Sequence, residues 1–179
     1  MRAPTNYAGP RANDGKKREK THSQSVSSTQ SKPAVDFGTV KQLLATKGDA
    51  IFTVQPDDSM RKAVDLLKEK RIGALIVTSD AGELRGILSE RDIVRRLSET
   101  PGRVLEQKVD ALMTHTVHTV SLDEPLAEVL HRMTQGRFRH MPVVEEGKLR
   151  GMVTIGDVVN FRLKELEYET IQLKQLIVG

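Results

Sequence analysis

The sequence predicts an α/β fold with two copies of one strand–helix–strand–strand–helix unit, a disordered N-terminal tail and a long C-terminal helix. Three observations favour this architecture. Apolar residues recur at helical spacing after each of two short extended segments. The second copy follows the first at an offset of 66 residues, so that Thr53 corresponds to Thr119. Residues 86–92 and 151–157 both read as glycine, two apolar residues, a hydroxyl, two spacers and an aspartate.

The first copy begins with a short helix, which Thr39 can cap and Gly48 can end. An extended segment at residues 52–54 precedes a second helix. The apolar face of that helix has the spacing i, i+3, i+4, i+7, at Met60, Ala63, Val64 and Leu67. Residues 74–77 and 84–88 are predicted strands with a turn between them. A third helix has its apolar face at Ile93, Val94 and Leu97.

The second copy repeats this order. A short helix is expected at Val109, Leu112 and Met113, and the next apolar face falls at Leu126, Val129, Leu130 and Met133. A one-residue deletion in the turn at 145–147 leaves Asp92 and Asp157 65 residues apart. Because each copy is too small to bury its own sheet face well, the two copies are expected to pack together with pseudo-two-fold symmetry.

The C-terminal helix is predicted to run from about Ile155 past Ile171. Its apolar positions alternate four and three residues apart, as in a coiled-coil seam, at Val159, Leu163, Leu166, Thr170, Leu173 and Ile177. Two interpretations remain open. The seam pairs with a partner helix in a homodimer, or the helix folds back onto its own copy.

The N-terminal tail accounts for the charge of the chain. Residues 1–36 hold seven basic and three acidic side chains, which equals the net charge of +4 of the whole sequence. Their polar composition predicts disorder, with a solvated linker, an organelle presequence and a nucleic-acid-binding arm as alternatives. The rest of the chain is electrically balanced and poor in aromatic residues, which argues against nucleic-acid binding by the folded body. No apolar run approaches the ~18 residues of a membrane span, and the absence of cysteine fits a cytoplasmic location.

The duplicated motif carries the chemistry. Ser89 and Thr154 are candidate N-caps, and a helix start attracts anions through its free N–H groups and its dipole. Asp92 and Asp157, three residues on, can accept hydrogen bonds from the two hydroxyls of a ribose. The same pattern is also a capping box that only stabilises a helix, and a single copy would favour this structural alternative. Two copies at equivalent places shift the balance towards a nucleotide site.

The repeat resembles the CBS domain, and residues 40–163 look like a tandem pair of such domains. The resemblance rests on residues 52–54, 72–77 and 86–92 in the first copy, and on 118–120, 137–143 and 151–157 in the second. It implies a non-catalytic module that binds adenosine-containing ligands in clefts between the copies. AMP, ADP and ATP are the expected ligands, with NAD(H) and S-adenosylmethionine as further possibilities. Such pairs commonly form disc-shaped homodimers.

The resemblance also implies roles for individual residues. The hydroxyl and aspartate of each motif would contact ribose or phosphate, at Ser89, Asp92, Thr154 and Asp157. The extended segments would lie beside adenine, at Thr53, Val54, Thr119 and Val120. The second strands would form the cleft walls, at Ala74, Leu75, Met141 and Pro142. Basic residues would reach phosphate, at Arg91, Arg137, Arg139 and His140.

The two copies differ where the second has Arg139 and His140, because the first has Gly73 and Ala74 at these positions. The cleft that receives the arginine and the histidine is therefore expected to prefer more phosphate charge. A solvated strand edge for the arginines and a half-buried structural role for the histidine are the alternatives. Pro142 within an apolar run indicates a strand start or an edge.

The expected arrangement is a tail (1–36), a first repeat (40–100), a second repeat (109–163) and a helix extension (164–179). Two functions are compatible with this arrangement. The first is an adenine-nucleotide sensor that acts through its dimer surface or an unknown effector protein. The second is a dimeric scaffold whose basic tail binds nucleic acid. The sequence contains no nucleophile motif, Walker loop or metal-ligand spacing, so we expect no catalytic activity, no catalytic cofactor and no metal.

Overall fold

The computed structural model describes residues 38–48, 50–100 and 102–178, and the N-terminal tail predicted at 1–36 lies outside these ranges. The elements are α1 (Val40–Lys47), β1 (Thr53–Val54), α2 (Met60–Lys70), β2 (Ala74–Thr78), β3 (Leu84–Ser89), α3 (Glu90–Glu99), α4 (Leu126–Gly136), β4 (His140–Glu145), β5 (Lys148–Thr154) and α5 (Ile155–Val178). Two single-turn 3-10 helices, Val104–Glu106 and Val109–Ala111, connect the copies. This order confirms the α/β class, the repeated unit and the long C-terminal helix.

Each copy contains one small sheet. In the first copy, β1 pairs in parallel with β2, and β2 pairs antiparallel with β3. In the second copy, β4 pairs antiparallel with β5. The register of both antiparallel pairs shifts at matching places, between Val77 and Thr78 and between Val143 and Val144. The two sheets therefore share a local irregularity as well as a sequence pattern.

Pro142 removes the counterpart of β1 from the second copy. In the first copy, the N–H of Ile76 donates to the carbonyl of Phe52 over 3.2 Å. Pro142 stands 66 residues after Ile76 and has no N–H to donate. The predicted strand at 118–120 is consequently reduced to a single bridge between Val120 and Val143. Pro142 itself is the third residue of β4, which is an edge strand of the two-stranded sheet, so the structure agrees with the edge alternative rather than with a strand start.

The short helix that leads each copy packs into the core of the other copy. The core of the first copy contains Val104, Val109, Leu112 and Met113, which precede the second copy in the sequence. The core of the second copy contains Val40, Leu43 and Leu44 from α1. Backbone hydrogen bonds hold both of these short helical segments in position. Lys41 N–H donates to the Leu122 carbonyl (2.8 Å), and Val109 N–H donates to the Asp58 carbonyl (2.9 Å). Neither core is complete without residues from the other half of the chain.

The helix α5 extends well beyond the core that anchors it. Its first two turns contribute buried Val158 and partly buried Ile155 and Phe161 to the second core. The following residues leave the body, and the apolar positions of the predicted seam stay exposed, from 42% at Leu166 to 83% at Ile177. At 1.5 Å per residue, the 24 residues of α5 span about 36 Å. Among the described residues, none of the helices has the length and apolar content of a membrane-spanning segment.

Candidate ligand cleft between the two copies

Both copies of the duplicated motif form capping boxes at a strand-to-helix junction. At the start of α3, Ser89 N–H donates to Asp92 Oδ2 (3.0 Å), and Asp92 N–H donates to Ser89 Oγ (3.4 Å). At the start of α5, Thr154 N–H donates to Asp157 Oδ2 (2.9 Å), and Asp157 N–H donates to Thr154 Oγ1 (3.1 Å). Helix capping, which is the structural alternative to a nucleotide site, therefore occurs in both copies. Any ligand role of these aspartates comes in addition to helix capping.

A cavity of about 440 Å³ lies where the start of α3 faces the turn between α4 and β4. It is large enough for a small organic ligand, since such sites span roughly 300–1,000 Å³. Six residues named from the sequence line it: Ser89, Arg91, Asp92, Arg137, Arg139 and His140. The packing thus places the arginine and the histidine of the second copy beside the Ser89–Asp92 pair of the first.

The other residues named from the sequence do not line this cavity. Leu75 and Val54 pack in the first core, and Val120 and Met141 pack in the second. Ala74 and Pro142 are buried on the strands that carry these residues. The physical reason is that neighbouring residues of β2 and β4 point to opposite faces of the strand and are buried on both faces at these positions. We leave these six residues out of the proposed site.

Four further residues fall elsewhere. Thr53 is exposed on β1. Thr119 is half-buried, and its carbonyl accepts a hydrogen bond from Arg132 Nη2 (2.8 Å). Thr154 caps α5, as described above, and Asp157 receives an ion pair from Lys47 of α1. Thr154 and Asp157 belong to the second motif, Thr53 belongs to β1, and Thr119 belongs to the segment before Val120.

The sequence did not predict the two aromatic rings that line one side of the cavity. The rings of His118 and Phe138 stack with centroids 4.8 Å apart and an interplanar angle of 11°, and both residues line the cavity. Thr116 and Val117 also line it, two to three residues before the expected Thr119 and Val120. The sequence carried no local signal for this stack, because the two residues are 20 positions apart and meet only in the folded chain.

Positive charge dominates the cavity. Its lining includes four arginines (Arg91, Arg95, Arg137 and Arg139) and two acidic residues (Glu90 and Asp92). Arg91 Nη1 donates to the carbonyl of Arg137 over 2.5 Å, which connects the start of α3 with the turn of the other copy. Arg137 holds a left-handed backbone conformation (φ 55°) as the C-cap of α4. The arrangement suits an anion that lies next to a flat aromatic surface.

His140 is a half-buried titratable group of this cavity. Burial lowers its pKa from the usual 6.5, and the positive charges of Lys47, Arg139 and Arg91 lower the pKa further, while Asp157 raises it. Gly73 of the first copy lies opposite the ring, where an added Cβ would be 3.3 Å from Cε1 and Nε2. The imidazole is therefore held against the other copy and favours its neutral form.

The lowered pKa of His140 predicts that the protein loses stability as the pH falls below about 6.5. Unfolded His140 binds a proton at its ordinary pKa, whereas folded His140 binds it only at lower pH, so the unfolded state takes up more protons in this window. Chemical denaturation of the wild type and of His140→Gln between about pH 8 and pH 5 measures the effect. The variant is expected to lose less stability over that range. Parallel pH profiles would contradict the prediction.

Comparison with known sequences supports the repeated architecture. The chain matches the CBS domain family over residues 40–99 and 109–164. It is 30% identical over 149 residues to the CBS domain-containing protein CBSX3, mitochondrial, of Arabidopsis thaliana, covering 79% of this chain and 72% of that protein. It is 29% identical over 122 residues to the CBS domain-containing protein YhcV of Bacillus subtilis, covering 68% of this chain and 84% of that protein.

Solved structures give the same result. A CBS-domain-containing protein from Agrobacterium tumefaciens superposes with a TM-score of 0.68 at 40% identity, over 70% of this chain and 99% of that chain. The CBS domain pair of protein MJ0100, crystallised with 5′-methylthioadenosine and S-adenosyl-L-methionine, superposes with a TM-score of 0.63 at 25% identity. That match covers 72% of this chain and 98% of the other.

Proposed function

The chain belongs to the CBS domain family, and from this premise we propose that it is a regulatory module whose α3 cavity binds an adenosine-containing nucleotide. The observation that carries the proposal is the lining of that cavity. It combines a capped helix start that carries a carboxylate, a stacked aromatic pair and a surplus of arginines. These are the groups that would hold a sugar, a purine and a phosphate, respectively.

Each part of the nucleotide has a place in this proposal. The adenine lies along the His118–Phe138 stack, since a purine offers a flat face to aromatic rings. The ribose hydroxyls donate to Asp92, whose side chain keeps 12% of its surface exposed. The phosphates lie towards Arg137 and Arg139, where guanidinium groups can donate two parallel hydrogen bonds.

The charge of the cavity favours AMP, ADP or ATP over uncharged adenosine compounds. The related pair of protein MJ0100 was crystallised with 5′-methylthioadenosine and S-adenosyl-L-methionine, which carry no phosphate. Such ligands would leave much of the arginine surplus of the present cavity without an anion, since 5′-methylthioadenosine has no anionic group and S-adenosyl-L-methionine has one carboxylate together with a sulfonium cation. We therefore place phosphorylated nucleotides first, with NAD(H) and S-adenosylmethionine as weaker candidates. A non-catalytic role and a cytoplasmic location stay predictions.

Calorimetric titration with ATP, AMP and adenosine tests the proposal. Affinity is expected to rise with the number of phosphates. Asp92→Ala removes a charged acceptor and is expected to weaken ATP binding by about 1.5–3 kcal/mol, or roughly 10- to 150-fold. Saturating ATP is also expected to raise the melting temperature of the wild type by roughly 5–10 °C.

The loss of the α3 cap must be separated from the loss of ligand contact in Asp92→Ala. Arg139→Gln serves this purpose because it leaves the cap intact and is expected to weaken ATP binding while leaving adenosine binding unchanged. If neither ATP, AMP nor any other adenosine compound bound the wild type, the sensor proposal would be wrong. Salt-sensitive oligonucleotide binding that disappears on deletion of residues 1–36 would then support the scaffold with a nucleic-acid-binding tail.

We also propose that the chain forms a homodimer through α3 and α5. Val94 and Leu97 on α3 are 66% and 45% exposed, and Val159, Leu163 and Leu166 on α5 are 44%, 52% and 42% exposed. Apolar side chains clustered at the surface favour a protein partner. The helix α3 begins at the cavity and presents Val94 about half a turn after Asp92. A nucleotide bound at the start of α3 would thus act on the same helix whose apolar face contacts a second copy or an effector protein.

A further inference from the structure

Lys47 lies at the start of α5, which corresponds in the second copy to the start of α3 at the cavity. Its ammonium group forms an ion pair with Asp157 Oδ2 and donates a hydrogen bond to the carbonyl of Met152 over 3.0 Å. The side chains of Lys47 and Asp157 are 34% and 23% exposed, so the pair is partly shielded from water. The same Oδ2 accepts the capping N–H of Thr154. The carboxylate of the second motif is thus already engaged by a cation from the chain itself.

The first copy has no equivalent contact among the described residues. Leu44 and Met113 hold matching places, because an added Cβ at Gly151 would meet the first and an added Cβ at Gly86 would meet the second. Three residues further on, Lys47 corresponds to Thr116, which lines the α3 cavity. A lysine thus stands where the first site has a threonine.

The backbone explains how the lysine reaches Asp157. In the first copy, the carbonyl of Ile87 accepts a hydrogen bond from the N–H of Thr114 over 2.8 Å. This bond holds the segment after Met113 beside β3. In the second copy, α1 continues to Lys47, and the N–H of Gly48 returns to the carbonyl of Leu44 over 2.9 Å. The carbonyl of Met152, counterpart of Ile87, receives the lysine ammonium instead.

The partner of Asp92 in the first copy is much weaker. Arg95 approaches Asp92 Oδ1 at 3.4 Å, and its side chain is 68% exposed. Such an exposed contact at the edge of hydrogen-bonding distance is easily displaced by a ligand. The position that matches Arg95 in α5 is Asn160, so Lys47 is the cation that faces Asp157 in the second copy.

We propose that Lys47 acts as a built-in occupant of the second ligand position, so that one chain binds one nucleotide, at the α3 cavity. This inference rests on the proposed nucleotide binding and adds its stoichiometry. A ribose that approached Asp157 would have to displace a charge-assisted hydrogen bond and leave the Met152 carbonyl without its donor. The same ribose can bind Asp92 at Oδ1, where it displaces only the exposed Arg95, while Oδ2 keeps its hydrogen bonds from Ser89.

Calorimetric stoichiometry with ATP tests the inference on the full chain. The wild type is expected to bind one ATP per chain. Lys47→Thr, which installs the residue of the first copy, is expected to bind two, with at least a tenfold gain in affinity at the second position. Lys41→Thr on the same helix is the matched control, since this lysine is also exposed and its variant is expected to keep one site. Lys47→Met provides a second variant if the threonine destabilises α1.

The outcomes separate the inference from the proposal on which it rests. Two sites of similar affinity in the wild type, or a single site in both folded Lys47 variants, would overturn the role of Lys47 and leave nucleotide binding in place. No ATP binding by either the wild type or the variants would overturn the proposed function itself. A second site that appears only in the Lys47 variants would support both.

Discussion

Leu43→Ala is expected to lower the free energy of unfolding by about 2–5 kcal/mol. Leu43 belongs to α1, near the beginning of the described chain, yet it is 1% exposed within the core of the second copy. The substitution removes buried methyl groups and leaves a cavity between α1 and the second copy, and both effects destabilise the fold. Urea denaturation followed by circular dichroism measures the change.

An exposed leucine provides the control for this substitution. Leu105 is 37% exposed, and Leu105→Ala is expected to cost less than about 1 kcal/mol. The prediction also concerns how the protein unfolds, since α1 unites the two halves. Loss of the contact at Leu43 should destabilise both copies together. A small effect, or a separate early transition of residues 38–48 alone, would contradict the reciprocal packing of the leading helices.

Leu163→Asp is expected to convert the proposed homodimer into monomers and to raise its dissociation constant by several orders of magnitude. In a single chain the position is 52% exposed, so the aspartate costs little there. In the dimer the carboxylate would be removed from water without a partner, and desolvation of an unpaired charge costs several kcal/mol. Sedimentation velocity at micromolar concentrations measures the mass directly.

A second site on α5 shows whether the effect belongs to the seam. Gln172 is exposed and lies on the face of α5 opposite Leu163, and Gln172→Asp is expected to leave the dimer intact. A monomeric wild type would contradict the homodimer, and the exposed seam would then require a different protein partner. A Leu163→Asp variant that remains dimeric would place the interface elsewhere.

The local signals in the sequence were sufficient for the repeated unit. The capping box of Thr39 with Gln42, the end of α1 at Gly48 and the hydroxyl–aspartate caps of α3 and α5 all form with nearby residues. Such contacts span three or four residues, so a pattern can predict them. The exchange of leading helices could not be predicted in the same way. The apolar face of α1 shows that the helix is buried, but it does not identify the core that buries it.

The candidate cleft was predicted only in part, for a related reason. The motif residues, and the basic residues at the start of β4 and just before it, depart from the apolar pattern. The strand residues named beside them, such as Leu75 and Met141, belong to that pattern and face the cores. The stack of His118 on Phe138 joins residues 20 positions apart in the sequence, so no local pattern predicts it. The assignment of Arg139 and His140 to the α3 cavity required the packing of the two copies.

The reciprocal packing of the leading helices has a consequence for synthesis on the ribosome. The first core can close once Met113 has emerged, but α1 must wait for Val158, which is made 115 residues after Leu43. At about 5–20 residues per second, this delay lasts roughly 6–23 s. During that interval the nascent chain carries an uncovered apolar helix beside a nearly finished half. Chains growing on one polysome could therefore exchange this helix, and a chaperone that covers it would prevent the error.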